Sequence, residues 1–175
     1  LLGCIVWVPR RIVKEIERRG LCVEDVLVEV LAEKFNLDSQ SVAEVRLELA
    51  EKYLEEARSY VEKGDAVQAS EKLYKVVEEC VKALAELLNL PEVEKAKRLG
   101  RWFTWLLGSA SSRASKVLGE PRIEFVWGIA YDLHVWGFHE VKYGIDVVEM
   151  RFPHIEWLLR YTKEKVKELS KGSQR

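Results

Sequence analysis

Residues 50–88 read AEKYLEEARSYVEKGDAVQASEKLYKVVEECVKALAELL, and the period of their apolar positions decides the fold. Val45, Leu49, Tyr53, Leu54 and Ala57, then Tyr60 and Val61, recur at helical spacing and predict one long amphipathic helix over residues 42–63. Leu73, Val77, Cys80, Leu84 and Leu87 make a second stripe, over residues 66–88. Only Gly64-Asp65 lies between them. Two long helices joined by so short a turn form an antiparallel hairpin. The Gly-Asp-x-x-x-Ala turn also occurs in tetratricopeptide units, but no period of about 34 residues recurs, so a repeat array is excluded.

Working outward, helical signals are strong and strand signals weak. Upstream, Pro9 opens a helix through Arg19 that Gly20 closes. A second short helix covers residues 25–35, and Asp38 or Ser39 is placed to cap the long helix. Downstream, Asn89-Leu90-Pro91 is a break and residues 92–99 a short helix. Residues 101–107 form a compact apolar element stopped by Gly108. The polar run 109–112 precedes a short helix to Leu118, and Gly119-Glu120-Pro121 is the next break. An apolar helix from Ile123 to Tyr143 follows, with Gly144 as its stop. A last helix spans residues 146–170, bent or restarted at Pro153. The expected fold is all-α: an up-and-down bundle of four to five main helices over residues 39–170, with an N-terminal helical appendage at 1–38 and a frayed tail at 171–175.

Composition narrows the class. In 175 residues, 48% are hydrophobic and six are Trp, ample for a core. Charged residues reach 33% while Asn and Gln together number five, a balance associated with heat-adapted proteins. The net charge of −1 gives no global pull toward nucleic acid or an anionic membrane. Cys4, Cys22 and Cys80 are scattered and odd in number, which reads as buried hydrophobes in a reducing cytoplasm. The apolar start, residues 1–8, is too short for a membrane span or a signal peptide. It reads as a segment docked on the core or on a partner subunit.

The chemistry concentrates in residues 130–140, AYDLHVWGFHE, which hold two of the three histidines. A helix apolar nearly all round is buried, and buried Asp, His and Glu must find partners. On an α-helix Asp132, Trp136, His139 and Tyr143 share one stripe. His134 lies on another, about 140° from His139, so the two cannot chelate one metal ion and no metal is expected. Trp136 and Tyr143 flank His139 as the walls of an aromatic pocket. The bland alternative, a satisfied polar network in the core, has equal weight. Gly128 and Gly137 point to close backbone approach.

A second cluster is carried by residues 70–82. Glu71 with Lys75, Lys75 with Glu79 and Glu78 with Lys82 are i, i+4 pairs, favoured as a solvated salt-bridged face. In the functional alternative Lys72, Lys75 or Lys82, with Tyr74, faces the pocket and meets a phosphate. Lys95, Lys97, Arg98 and Arg101 lead into Trp102 and Trp105, a basic run beside a ring that can stack. Phosphate loops, nucleophile elbows and cofactor motifs are absent, so no cofactor is expected.

Together the hairpin string, GRWFTWLL and AYDLHVWGFHE resemble the archaeal PaREP family of the first type, over residues 42–169. That family is grouped with HEPN-like helical domains, which implies an up-and-down bundle that often pairs as a symmetric dimer. Active HEPN ribonucleases carry Arg, four to six residues, then His, with His acting on the ribose 2′-hydroxyl and Arg holding phosphate. His139 occupies the comparable place, but the positions where Arg would stand hold Asp132, Leu133 and His134. Metal-independent RNA cleavage is therefore disfavoured by the motif. The resulting expectation is a non-catalytic, homodimeric protein binding a nucleotide or RNA element. Trp136, His139 and Tyr143 supply ring contacts in it, joined by Tyr74 and Trp102, while Lys75 or Lys82 supplies charge. The alternatives are a diverged ribonuclease or nucleotide-modifying toxin using His139, His134 and Asp132, and an interaction module paired with a second small protein.

Overall fold

A computed structural model describes residues 6–172, and every regular element among them is helical. The chain divides into two compact units, split between Asp38 and Ser39. The first contains α1 (Arg10–Arg18) and α2 (Val23–Phe35). Pro9 caps α1, Gly20 leaves it at φ 67°, and Asn36 ends α2 in the left-handed region at φ 50°. Neither helix buries a residue fully. The docked segment expected at 1–8 falls mostly outside the described residues, and its Val6 and Trp7 are exposed.

The second unit is a bundle of α3 (Ser39–Glu62), α4 (Ala66–Leu87), α6 (Thr104–Leu118), α7 (Arg122–Asp132) and α8 (Ile145–Gly172). A short α5 (Pro91–Leu99) lies between α4 and α6, and a π-helical segment, Leu133–His139, continues α7. The α3–α4 hairpin forms as its period requires. Gly64 turns at φ 72°, and the Asp65 carboxylate caps α4 by accepting from Gln68 N at 3.0 Å. Helices α3, α6, α7 and α8 and the π-segment all pack on α4.

The buried axis is therefore α4, not the aromatic helix that the sequence pattern favours. Every residue from 76 to 85 is buried. By contrast Phe125 is 68% exposed and Tyr131 and Trp136 are each 46% exposed. A helix covered on all sides must neutralise its own charges. Lys82 Nζ meets Glu78 at 2.8 Å and Glu79 at 2.9 Å, Arg46 of α3 meets Glu79 at 2.9 Å, and Lys75 meets Glu78 at 2.9 Å. The expected solvated face is thus a buried ion network.

Two further expectations change. Gly108 does not stop a helix; α6 runs from Thr104 through Gly108 and the serines to Leu118. The glycine is there for space, because a Cβ at Gly108 would stand 3.1 Å from Trp127 Nε1. The serines are satisfied in two ways: Ser111 donates within the helix to Gly108 O at 2.9 Å, and Ser109 donates across to Glu92 of α5 at 2.9 Å. Pro153 neither ends nor restarts α8. Its missing N–H costs about 3 kcal/mol in a helix interior, and the buried Phe152, Ile155, Leu158 and Leu159 around it supply the offsetting contacts.

Candidate functional site

The helix expected to run to Tyr143 changes its winding after Asp132. Leu133–His139 is π-helical, and Glu140 N donates to Val135 O, five residues back, at 2.9 Å. The wider turn, about 4.4 residues instead of 3.6, brings positions i and i+5 to nearly the same face. That is the spacing of His134 and His139. Their Nε2 atoms lie 3.0 Å apart, with ring centroids at 4.4 Å and planes crossing at 80°. The separation read from an α-helical wheel is therefore corrected: the two imidazoles touch.

Glu71 of α4 completes the group. Its carboxylate sits 2.8 Å from His134 Nδ1. A carboxylate only accepts, so in the neutral His134 ring Nδ1 carries the proton and Nε2 is left as an acceptor. His139 then donates from Nε2, and the lone pair on its Nδ1 remains, on an exposed ring. Tyr74 stacks on His134 at 4.1 Å and tilts against Trp127 at 5.9 Å. Burial, then the Glu78 carboxylate, pushes the Tyr74 phenol well above its ordinary range, so it serves as a neutral ring.

Contact with α4 fixes the π-segment. A Cβ on Gly137 would stand 2.2 Å from Ser70 Oγ and 2.7 Å from Ser70 Cβ, so only glycine lets the two backbones come this close. Ser70 is held in turn by donating to Ala66 O at 2.7 Å. Gly128, read the same way from sequence, has nothing within 4 Å of its would-be Cβ. After the segment, Val141 takes φ 51°, a conformation that a β-branched residue adopts only under constraint. The helix thus ends short of Gly144.

Asp132 is engaged elsewhere. It accepts from Tyr143 Oη at 2.8 Å and pairs with Arg151 of α8, whose guanidinium also lies 4.5 Å from the Tyr143 ring centre. Asp132 therefore orients Tyr143 and Arg151, and Glu71 orients the histidines. The sequence-derived residues fall into three places. His134, His139 and Tyr74 come together. Asp132 and Tyr143 join a second polar group with Arg151. Lys75 and Lys82 lie in the α4 ion network, where full burial keeps Lys82 from any phosphate. Trp102 packs on the core from the link between α5 and α6, and Trp136 is a half-exposed ring on the π-segment. The charged and aromatic side chains of 130–140 thus form a surface cluster at the edge of the bundle instead of lining an internal hollow.

Sequence reasoning missed Glu71 and Arg151. The signal for Glu71 was its i, i+3 spacing to Tyr74, which puts both on the face of α4 that meets the π-segment. No helix among the described residues is long and apolar enough to cross a membrane.

The sequence model of the archaeal PaREP1/PaREP8 family matches residues 45–159. A crystal structure of a protein from Sulfolobus solfataricus is similar, with 35% identity and a TM-score of 0.62, covering 67% of this chain and 96% of that one. No curated protein matches the chain.

Proposed function

The chain belongs to the archaeal PaREP1/PaREP8 family, and from that premise we propose a HEPN-like protein that binds a nucleotide or RNA element and performs acid–base chemistry on it at His139. The observation that carries this reading is the hydrogen-bonded line Glu71–His134–His139, which ends on an exposed imidazole. Asp132 and His139 stand two helical turns apart in sequence, about 10 Å on an α-helix, so a catalytic pair of the two would have to meet across a dimer or through a ligand. With Glu71 and His134 supplying the orienting chain within one protomer, that condition falls away.

The step is a general-base transfer. His139 Nδ1 takes the proton of a ribose 2′-hydroxyl while His139 Nε2–H donates to His134. The new positive charge is shared along a line that ends on the Glu71 carboxylate. The 2′-oxygen attacks the adjacent phosphorus, the P–O5′ bond breaks, and the leaving 5′-oxygen takes a proton from solvent water, while the proton held on His139 Nδ1 returns to solvent to reset the base. Products are a 2′,3′-cyclic phosphate and a 5′-hydroxyl. Trp136, half-exposed on the same segment, gives a base a surface to stack on.

The test is turnover of a labelled single-stranded RNA. His139→Ala lowers the rate by about 10²–10⁴-fold, the usual worth of a positioned acid–base group. Glu71→Gln lowers it less, and Lys116→Ala leaves it unchanged. RNA cleavage indifferent to His139→Ala overturns the catalytic reading. A second reading, binding without turnover, rests on Arg151: it is paired with Asp132 instead of standing four to six residues before His139. RNA or nucleotide binding that needs His139 and Trp136 but yields no product supports it. The proposal places the protein in the cytoplasm as a homodimer, with a second small protein as the alternative partner; light scattering of the purified chain decides between these assemblies.

A further inference from the structure

The two facing imidazoles have a geometry that a hydrogen bond alone does not require. Two rings in a straight Nε2–H···Nε2 bond of this length would have centroids about 5.3 Å apart. Here the centroids are 4.4 Å apart with the nitrogens at 3.0 Å, so the ring axes lean away from the line joining the nitrogens. Two imidazoles holding one ion at about 2.05 Å, with their Nε2 atoms this far apart, subtend roughly 94° at the metal and place their centroids about 4.7 Å apart. That angle is the cis angle of an octahedral or square-planar ion and is narrower than the tetrahedral angle Zn²⁺ prefers.

We propose that His134 and His139 bind a divalent first-row transition ion through their Nε2 atoms, in adjacent positions of a site left open to solvent. Both rings enter neutral. His134 already keeps its proton on Nδ1, where Glu71 accepts it, the carboxylate–histidine–metal arrangement that fixes a ligand's tautomer and raises its basicity. His139 needs only to move its proton from Nε2 to Nδ1. Tyr74, stacked on His134, holds that ring in place. The remaining coordination positions belong to water, because His139 is exposed. Bound metal replaces the hydrogen bond between the rings, so on the acid–base reading above the ion silences the site. This regulatory consequence rests on that reading; the metal binding itself does not.

The experiment uses tag-free full-length protein, with Cu²⁺ and Ni²⁺ as probes and no RNA present. Calorimetry gives one ion per chain, and the Cu²⁺ spin-resonance spectrum shows hyperfine coupling to two nitrogens. His139→Ala and His134→Ala each remove the two-nitrogen signature. Glu71→Gln weakens binding about 10–100-fold, and His154→Ala, at the third histidine, changes nothing. Far-ultraviolet circular dichroism confirms that the variants are folded, and the exposed His139 makes its variant the decisive one. Absence of Cu²⁺ and Ni²⁺ binding, or binding unaltered in folded His139→Ala protein, overturns the proposal and leaves the RNA assay to stand or fall on its own. If both readings hold, Ni²⁺ inhibits the wild-type RNA turnover and a chelator restores it.

Discussion

At the scale of single residues, the site depends on what Gly137 lacks. In an ordinary exposed helix Gly→Ala gains about 1 kcal/mol. At Gly137 a methyl group would overlap Ser70, so the expected sign reverses. Gly137→Ala costs about 1–3 kcal/mol, the usual penalty for overpacking. Adding Ser70→Gly recovers part of that cost, and urea unfolding of the two single variants and the double variant measures the coupling. Equal costs with and without Ser70→Gly would show that the glycine is there for another reason. The same contact explains how one part of the sequence could be read and another not. Gly137 was legible as a point of close approach because glycine is costly inside a helix. Gly128 carried the same signal, and among the described residues no neighbouring element approaches within 4 Å of its would-be Cβ. Glu71 was hidden because Lys75 stands four residues on, an ordinary helix pair; the tertiary partner His134 takes the carboxylate, and Lys75 turns to Glu78.

At the scale of elements, the hairpin was legible and the π-segment was not, for one reason. Apolar side chains that must be buried print the α-helical period on the sequence, so α3 and α4 announce themselves. Wider winding leaves no comparable print over seven residues, and an α-helical wheel then assigns His134 and His139 to different faces. The buried charges of α4 misled similarly: Glu78, Glu79 and Lys82 look like a wet face until α4 is seen to be enclosed. The cost of ending the π-segment is visible at Val141, whose φ of 51° strains a β-branched residue. Val141→Gly is expected to raise stability by about 1 kcal/mol, the relief of a left-handed conformation partly offset by glycine's unfolded-state freedom. Thermal unfolding reads this directly, and a loss of stability would mean that the 60% exposed side chain makes contacts worth more than the strain.

At the scale of the whole molecule, every fully buried apolar side chain among the described residues belongs to the bundle from Ser39 onward, and α4 threads its middle. Cys80 reports on that core. Burial, eased by the hydroxyl of Thr162 and reinforced by Glu79, drives its thiol far above the ordinary cysteine range. A buried thiol that stays protonated is inert, so its reaction with a thiol reagent requires the bundle to open. Labelling of Cys80 is expected to follow the denaturant curve for global unfolding, while the half-buried Cys22 reacts under native conditions. Rapid native labelling of Cys80, followed by mass spectrometry of the peptide that holds it, would show that the core opens in parts.

Seven residues wound as a π-helix span about the length that six would span as an α-helix. Loss of one codon between His134 and His139 would let the coil relax to the tighter winding, with the register of α8 and the rest of the bundle undisturbed. The histidines would then stand four residues apart, a spacing that on an α-helix keeps both imidazoles on one face. Related chains that carry this single-residue gap would reach the same imidazole pair by ordinary α-helical winding, so the insertion in this chain is matched by the change of winding that offsets it.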